Sequence, residues 1–344
     1  IVPVSVSYER VLEEQLFVYE LLGVPKPKES TTGFFKALKI IEERFGKMYL
    51  DFGEPISVRE FFGQTGAQRV PRSAVGAHLQ KLNREEIELV KTLANEVIYQ
   101  QQHRIVITTF NLLSLYYASQ LYDQRSVNLD ELSTHVCRLK RIFEQLGAHV
   151  CTNTNAIKSE IIETVEIHAN IVHFNSRQLL EFTQVEASQL AQEIDAKRLK
   201  AHALSPHTMA LAVPTLALQL YINPCLFWLA RPALLIISAL QQQKVQSQHP
   251  APASVANTPE QVLDNLYARV SSLEDIFKHE FTLENNRNRQ EFLKNLSFLE
   301  TQEILRISSE TGQLQVLENE CSRGVLSALA PFLCLYYQLC VVLN

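Results

Sequence analysis

Histidines are the residues of this sequence best suited to move protons, and there are ten of them. A hydroxyl group that attacks a carbonyl usually loses its proton to a base, commonly a histidine oriented by a carboxylate. No histidine is followed by an aspartate five residues later, and only His279 is followed by a glutamate there, Glu284. Because both fall on a late helical stretch, we expect a surface pair. The sequence therefore predicts no catalytic residue in this chain.

Closely spaced histidines and cysteines could bind a metal ion. His168 and His173 are five residues apart on a predicted helix and share no face with an evident carboxylate ligand, so we expect ordinary helix residues. The cysteines form no CxxC pair and have no zinc-like spacing to histidine. We expect reduced core thiols and no metal site. The six cysteines are Cys137, Cys151, Cys225, Cys321, Cys334 and Cys340.

Adjacent glutamates occur twice, at Glu13 with Glu14 and at Glu42 with Glu43. Neighbouring residues of a helix point about 100° apart, so such a pair cannot act together on one atom. We expect both pairs to lie on a solvated helix face.

Two lysines lie on a proline-restrained loop, where their ammonium groups could meet a phosphate. Lys26 and Lys28 stand beside Glu29 and Ser30 in this loop. A solvated surface loop has the same composition. The residues alone leave both interpretations open, and the solvated loop is favoured.

The elements that would position these residues begin with an α/β segment. Residues 1–7 alternate apolar and polar side chains, which predicts a short strand with one face buried, and Pro3 is tolerated near its start. Helical spacing follows over 9–22, with Gly23 as a stop signal. Further predictions are a loop over 23–33, a helix over 34–45, a strand over 48–52 and a turn over 53–55.

The pattern then changes to long helical periods with little glycine. Beyond a polar, proline-bearing stretch at 241–259, which predicts a linker, come two more helices, a hairpin and a last apolar helix. The predicted helices cover 85–102, 105–122, 129–146, 156–174, 176–201, 260–280, 289–299 and 318–343, and the hairpin joins strands at 304–308 and 313–317.

The most apolar stretch, residues 208–240, contains three prolines and one charge, Arg231. Its last 17 residues are short of the roughly 20 that span a bilayer. Tyr221, Phe227 and Trp228 would suit an element that lies in the membrane interface. The alternatives are an interfacial or membrane-dipping element and a pair of buried helices, and the sequence leaves both open.

Composition excludes several function classes. The net charge of −5 and the absence of a basic stripe argue against nucleic-acid binding. Ten glycines and no GxGxxG or Walker-type loop argue against a nucleotide cradle. Residue 1 is isoleucine and no signal peptide is visible, so we expect a piece of a longer chain.

Two stretches carry a family resemblance: IVPVSVSYERVLEEQLFVYELLGVPKPKESTTG at the start, and FGKMYLDFGEPISVREFF after it. They resemble the glycerol-3-phosphate and dihydroxyacetone-phosphate acyltransferase family, and the peroxisomal dihydroxyacetone-phosphate branch most. LANEVIYQQQHRIVITTFNLLSLYYAS and LYINPCLFWLARPALLIISAL resemble the helical carboxyl-side region of these proteins. The PVSVSY run looks like the fourth of the family's four sequence blocks.

The resemblance implies a carboxyl-side part of an acyl-CoA:dihydroxyacetone-phosphate O-acyltransferase. The family's first three blocks, including the HxxxxD base pair, are missing, so we expect this chain alone to be inactive. The fourth block and the loop after it would line the acceptor or acyl site. The residues that this assigns to substrate binding are Pro3, Ser5, Ser7, Tyr8, Glu14, Lys26, Lys28, Glu29 and Ser30.

The resemblance also implies acyl-CoA as co-substrate, no metal or tightly bound cofactor, a membrane surface and a possible partner enzyme of ether-lipid synthesis. It implies a peroxisomal membrane location, although the chain ends Val342, Leu343, Asn344 rather than in the branch's targeting tripeptide. Alternatives are a glycerol-3-phosphate acyltransferase and a non-catalytic docking module.

The expected fold is mainly α with a small α/β segment at the N-terminal end, that is, an incomplete acyltransferase α/β domain followed by a helical domain. The domain boundaries expected are 1–65 for the α/β remnant, 66–245 for the helical domain, 246–259 for the linker and 260–344 for the C-terminal helical segment with a hairpin.

Overall fold

The described part of the chain is mainly helical with a few short strands, which confirms the predicted fold class. The structure, a computed structural model, describes residues 1–24, 43–64, 84–122, 124–184, 204–248, 258–281, 283, 288–308 and 313–343. The helices are α1 (Glu14–Leu21), α2 (Val58–Gln64), α3 (Arg84–His103), α4 (Thr109–Tyr122), α5 (Leu129–Leu146), α6 (Ile157–Ile167), α7 (Pro206–Gln248), α8 (Pro259–Phe277), α9 (Arg289–Thr301) and α10 (Glu320–Leu343). The strands are β1 (Val4–Tyr8), β2 (Met48–Phe52), β3 (Val106–Thr108), β4 (Val127–Asn128), β5 (His149–Cys151), β6 (Val172–Phe174), β7 (Leu179–Phe182), β8 (Leu305–Ile307) and β9 (Leu314–Val316).

The chain folds into two compact units, each assembled from separate stretches of sequence. The first unit contains residues 1–6, 50–105 and 230–319, and the second contains 7–49, 106–229 and 320–344. The domain boundaries expected from the sequence stay predictions.

The predicted first strand is present as β1, and its partner is β2. The buried side of β1 carries Ser5 and Ser7, whereas Val6 and Tyr8 are exposed. The alternation therefore predicted the strand, but the face that is buried is the polar one. The reason is visible at Ser7, whose Oγ accepts a hydrogen bond of 3.0 Å from the backbone N–H of Val106 in the second unit.

The predicted helix over 9–22 starts later than expected, at Glu14. The backbone N–H groups of Glu9 and Arg10 donate instead to the carbonyls of Lys47 and Phe45, so this stretch remains paired with the chain that leads into β2. The helix ends as predicted beside Gly23, which has φ of 90°, a left-handed conformation that glycine adopts without steric cost.

The core of the second unit surrounds α4, which packs against α5, α6 and α10. Apolar side chains of α4 are fully buried, including Phe110, Leu112 and Leu113. β3 runs into α4 and pairs in parallel with β5, with Val106 opposite His149. Burial of α4 on most sides makes it the helix around which this unit is built.

A three-stranded antiparallel sheet completes the second unit. Its strand order is β4-β7-β6, with Val127 opposite Leu180 and Val172 opposite Phe182. In chain order this part of the unit runs α4, β4, α5, β5, α6, β6 and β7, and the sheet pairs its first strand, β4, with its last, β7. The exposed side of α6 carries Glu163 and Glu166, and both pair with Arg44.

Several stretches predicted to be helical form a short strand at one end. The helix predicted over 105–122 starts at Thr109 after β3, and the one over 156–174 ends at Ile167 before β6. The prediction of helix over 176–201 is wrong at β7, and residues 185–203 lie outside the described residues. Strands of three or four residues bounded by long helices leave too short a pattern for period-two alternation to show.

The first unit packs α8, α9 and the predicted hairpin with part of α7. Strands β8 and β9 are antiparallel, with Leu305 opposite Val316, which confirms the hairpin. The linker prediction is wrong over 241–248, where α7 continues, and residues 249–257 lie outside the described residues. Thr258 then caps α8 in a capping box with Gln261.

The apolar stretch 208–240 forms one continuous helix, α7, rather than a pair of helices. Two-thirds of its most apolar window (67%) is buried. Tyr221 and Trp228, which suggested an interfacial element, are both buried, so the structure favours the core interpretation over the interfacial one. A helix that is apolar all round can be buried on every side, which offsets the cost of its internal prolines.

Candidate functional site

The predicted strand residues divide between buried and exposed positions. Ser5 and Ser7 are buried, Ser7 through its bond to the Val106 N–H, and Tyr8 is about half exposed (49%). Pro3 is buried, and its carbonyl accepts a 2.7 Å bond from the backbone N–H of Gly53 within the first unit. The Ser7 hydroxyl and the Pro3 carbonyl therefore already have structural partners.

The predicted loop residues Lys26, Lys28, Glu29 and Ser30 lie outside the described residues. Their assignment to phosphate binding stays a prediction.

Glu14 is the predicted residue around which polar groups gather. Its carboxylate is only 1% exposed, which overturns the expectation of a solvated face. Arg10 Nε donates to it at 2.9 Å and Asn170 Nδ2 at 2.7 Å, and the Tyr221 hydroxyl also donates to it. A buried carboxylate requires such partners because its desolvation costs several kcal/mol. The fold brings these four groups together from distant positions of the sequence, 10, 14, 170 and 221, all in the second unit.

Tyr221 connects α7 to the turn before α1. Its hydroxyl donates to Glu14 and accepts a 3.0 Å bond from the backbone N–H of Val11. Its carbonyl accepts a 2.8 Å bond from Asn111 Nδ2 on α4. Burial, together with the negative charge of Glu14, raises the pKa of Tyr221 above its ordinary value, so the phenol stays protonated and acts as a donor.

Arg10 extends the cluster toward the surface. Its guanidinium lies 2.9 Å from a Glu43 carboxylate oxygen and over the ring of Phe45, 5.1 Å from the centroid. Burial lowers the pKa of Arg10, but hydrogen bonds and charges from Glu14 and Glu43 outweigh it and raise the pKa. Arg10 therefore supplies a permanent positive charge to a carboxylate that has no access to water.

His168 forms the apolar wall of the cluster. Its ring stacks on Phe110, with centroids 3.5 Å apart and planes 8° from parallel. Its Nδ1 lies 2.8 Å from the Thr164 carbonyl and its Nε2 3.0 Å from the Glu9 carbonyl. Two carbonyls favour a protonated ring, but burial outweighs them and lowers the pKa of His168 to about 4. The ring is therefore neutral at pH 7 and enclosed by the protein.

The prediction that His168 and His173 share a helix is wrong. His168 follows the end of α6 and is buried, whereas His173 lies in β6 with its Nδ1 3.4 Å from Thr183 Oγ1. Among the described residues, no group of three or more His, Cys, Asp or Glu side chains could hold a metal ion.

The prediction of core thiols holds for only part of the set. Cys225 and Cys321 are buried, and burial raises the pKa of both thiols above the ordinary value. Cys334 and Cys340 are exposed on α10, so these two are surface thiols.

The described part of the first unit contains open cavities, two of which are large. One, of about 750 Å³, is lined by residues of α7, α9 and the β8–β9 hairpin, among them Gln243, Glu300 and Arg306. The other, of about 380 Å³, lies between α7 and α8 and includes Gln242 and Arg269. Neither is lined by Pro3, Ser5, Ser7, Tyr8 or Glu14.

Taken together, the Glu14 cluster is a closed network that fixes one turn of chain. It ties residues 9–14 to the end of α6 and to α7 through a carboxylate, a guanidinium, a phenol and an amide. Chemically, it can hold the segment that follows β1 in a single position.

Comparison with known proteins identifies the relationship. The sequence model described as "Glycerol-3-phosphate acyltransferase C-terminal region" matches residues 17–344. The chain belongs to this family.

Relatives of this C-terminal region include proteins from two groups of acyltransferases. A protein named dihydroxyacetone phosphate acyltransferase from Oryctolagus cuniculus is 26% identical over 348 residues, covering 100% of this chain and 46% of the relative. The protein of that name from Bos taurus is 35% identical over 177 residues, covering 50% of this chain and 25% of the relative. A glycerol-3-phosphate acyltransferase from Ectopseudomonas mendocina is 48% identical over 63 residues, covering 18% of this chain and 8% of the relative. The chain spans about half the length of the mammalian relatives that it matches along its whole length.

Within this glycerol-3-phosphate acyltransferase C-terminal region, sequence reasoning identified Glu14 but not its partners. Arg10 carried a detectable signal, since a cation four residues before a carboxylate can pair with it on one helical face. Asn170 and Tyr221 carried none, because their contacts with Glu14 span 156 and 207 residues of sequence.

Proposed function

We propose that this chain is the carboxyl-side part of an acyl-CoA:dihydroxyacetone-phosphate O-acyltransferase of glycerolipid and ether-lipid biosynthesis. The observation that carries the proposal is the similarity to a dihydroxyacetone phosphate acyltransferase along 100% of this chain. Membership of the C-terminal region family supports the same reaction class.

In this proposal the hydroxyl oxygen of dihydroxyacetone phosphate attacks the thioester carbonyl of acyl-CoA. The C–S bond breaks, the new C–O ester bond forms, and the hydroxyl proton ends on the thiol of CoA. The step needs a base that takes this proton. The chain has no histidine followed by an aspartate five residues on, so we propose that the base belongs to a part of the enzyme outside this chain. The isolated chain would then be inactive.

The contribution that we propose for this chain is to position one wall of the acceptor or acyl site. Pro3, Ser5, Ser7 and Tyr8 would supply it through β1, and Lys26 and Lys28, with Glu29 and Ser30, would meet the phosphate. Glu14 acts differently from the others in this proposal. Its carboxylate is enclosed by Arg10, Asn170 and Tyr221. It would therefore position the segment between β1 and the lysine loop, the predicted loop over 23–33, rather than touch substrate.

A second acceptor is supported by a specific observation. The bacterial relative that is 48% identical over 63 residues is named glycerol-3-phosphate acyltransferase, so glycerol 3-phosphate is the alternative acceptor. A non-catalytic docking module is the alternative from another class, and the missing base supports it.

Location and partners follow from the same proposal. We place the enzyme at the peroxisomal membrane, with acyl-CoA and dihydroxyacetone phosphate as substrates and a membrane surface as a binding partner. We also propose a further enzyme of ether-lipid synthesis as a partner.

The test compares the isolated chain with the full-length gene product, using radiolabelled acyl-CoA and each acceptor in turn. We expect no turnover by the isolated chain and a higher kcat/KM for dihydroxyacetone phosphate than for glycerol 3-phosphate in the full-length protein. Turnover by the isolated chain would contradict the assignment of the base. A preference for glycerol 3-phosphate would select the alternative acceptor, and an inactive full-length protein would support the docking module.

Variants of the lysine loop sharpen this test. In the full-length protein, Lys26→Ala with Lys28→Ala should raise KM for the phosphate-bearing acceptor about tenfold or more and leave KM for acyl-CoA unchanged, because charge-assisted bonds to phosphate are lost. Lys91→Ala is the matched control, since Lys91 is an exposed lysine that pairs with Glu88 within α3. An equal effect on both substrates would argue against phosphate binding by this loop.

A further inference from the structure

The C-terminal helix α10 has two halves with opposite surroundings. Its first half packs on α4 and buries Cys321, Val325, Ala328 and Leu329. From Pro331 onward the helix is mostly exposed. Only 17% of the most apolar stretch of α10 is buried. Its length and composition would suffice to cross a membrane, as would those of α7.

The exposed half of α10 carries large apolar side chains and no charge. No Asp, Glu, Lys, Arg or His occurs between residues 324 and 343. Tyr337 is 72% exposed and Val342 81% exposed, and Leu335, Leu339 and Val341 are each about half exposed. Water is a poor solvent for such a surface, because each exposed apolar side chain forgoes about 1.5–3 kcal/mol of burial.

These apolar side chains lie on two opposite sides of the helix rather than along one stripe. Successive residues of an α-helix are about 100° apart, which places Leu335, Leu339 and Tyr337 at roughly 0°, 40° and 200°. Val341 and Val342 follow at about 240° and 340°. A helix that docks in a protein groove needs only one apolar stripe, at i, i+3, i+4 and i+7. Exposed apolar side chains on two opposite sides fit an environment that is apolar around the helix, such as the interior of a bilayer.

We infer that the exposed half of α10, from Pro331 to Leu343, inserts among the acyl chains of a lipid bilayer. This inference deepens the membrane association proposed above by naming the element that makes it. The half-helix rises about 20 Å, within the roughly 30 Å of a hydrocarbon core. Arg323 and Glu320, at the other end of α10, stay with the protein outside the lipid.

The mode of binding follows from the missing charge. Because residues 324–343 carry none, attraction to anionic headgroups contributes nothing through this element. Binding through α10 therefore depends on buried apolar area alone. It should be equally strong on neutral and anionic vesicles and insensitive to salt.

Vesicle flotation with the 344-residue chain tests the inference. Phosphatidylcholine vesicles with and without about 30% phosphatidylserine serve as probes, because the charged lipid isolates electrostatic binding. The double variant Leu335→Glu with Val342→Glu should lower the vesicle-bound to free ratio at least about tenfold, because a carboxylate is costly in hydrocarbon. The matched control is Ile276→Glu, since Ile276 is an equally exposed apolar residue, on α8.

Each outcome decides the inference. Loss of flotation in the double variant, with retention in the control, supports it. Unchanged flotation of a folded double variant would overturn it and leave membrane association to another element. If the unchanged chain does not float, the inference and the proposed membrane association are both overturned. The proposed acyltransferase activity is not affected by that result, because the acyl-transfer assay tests it separately. Sedimentation of the chain as a dimer that the double variant abolishes, without any flotation, would assign this face to a second copy.

The exposed thiols of α10 provide a test without substitutions in the inserted half. A water-soluble maleimide should modify Cys334 and Cys340 in the free chain, since both are exposed. Addition of phosphatidylcholine vesicles should slow both reactions at least about tenfold, because a reagent confined to water does not enter the hydrocarbon core. Cys137, half-buried on α5, should react at the same rate with and without vesicles. Unchanged reactivity of Cys334 in chain shown to float with vesicles would contradict insertion.

Discussion

Helices α7 and α10 have similar apolar compositions and different surroundings. Both are long and apolar enough to cross a membrane by length and composition, yet 67% of the relevant window of α7 is buried and only 17% of that of α10. Hydropathy therefore measures how strongly a helix avoids water. It does not say whether protein or lipid covers the helix.

The two helices also differ in charge. In α7 the one charge within the stretch 208–240 is Arg231, whose Nε donates to Glu274 at 3.1 Å and whose guanidinium also donates to the Leu283 carbonyl at 2.7 Å. These protein partners are what a buried guanidinium requires. In α10 residues 324–343 contain no charge that would need such a partner.

We expect the largest loss of stability from breaking the pair between Arg231 of α7 and Glu274 of α8. Arg231→Ala should lower the free energy of unfolding by about 3–5 kcal/mol, because the buried Glu274 carboxylate then lacks the positive charge of Arg231. Urea denaturation followed by circular dichroism measures it. Arg138→Ala is the control, since Arg138 pairs with Glu320 at the surface and should cost under about 1 kcal/mol. Equal losses in the two variants would mean that the Arg231 stretch is not in a protein core.

A matched pair of leucines tests the same contrast without charge. Leu234→Ala on α7 should cost about 2–5 kcal/mol of unfolding free energy, because Leu234 is fully buried and its removal leaves a cavity. Leu335→Ala on α10, without vesicles, should change it by less than about 0.5 kcal/mol, because Leu335 is about half exposed. Thermal and urea unfolding of both variants provide the measurement. A large cost at Leu335 would place α10 in the protein core.

The smallest effect concerns His168, whose ring lies edge-on to Tyr221 of α7, 4.9 Å between centroids. Its pKa in the folded chain is about 4, below its ordinary value of 6.5, so the unfolded chain binds the extra proton between these values. Stability is therefore complete above pH 6.5 and falls as the pH drops toward 4. Between pH 7 and pH 5 we expect a loss of about 2 kcal/mol from this residue.

Urea midpoints at pH 7 and pH 5 measure this loss, and His168→Gln should reduce the difference between them. Burial also lowers the pKa of His103 and His135, so a smaller dependence of the same sign should remain in that variant. An undiminished pH dependence in His168→Gln would show that the Phe110 stack does not enclose a neutral ring.

Predictions from the sequence succeeded where the signals were local. The helix predicted over 129–146 is α5 at the same bounds, with Asn128 and Glu131 forming its capping box and Gly147 in a left-handed conformation at its end. The strand over 48–52 is β2 at the same bounds, and the hairpin is present. Each of these depends on residues within a few positions of one another.

Predictions failed where distant partners decide. Ser7 is turned inward by the backbone of Val106, and residues 9 and 10 stay outside the helix because Lys47 and Phe45 accept their hydrogen bonds. For the candidate site, the sequence pointed to Glu14, but its enclosure by Asn170 and Tyr221 could not be predicted from spacing.

The amino-acid sequence by itself determined the mainly helical fold, the individual caps and turns, the family resemblance and the apolar character of α7 and α10. Periodicity and capping act over one or two turns of chain, so they are legible in a single sequence. Only the tertiary structure decided that α7 is enclosed and α10 is exposed, and that the Glu14 carboxylate is buried. Burial depends on which distant segments pack together, and that is a property of the folded chain as a whole.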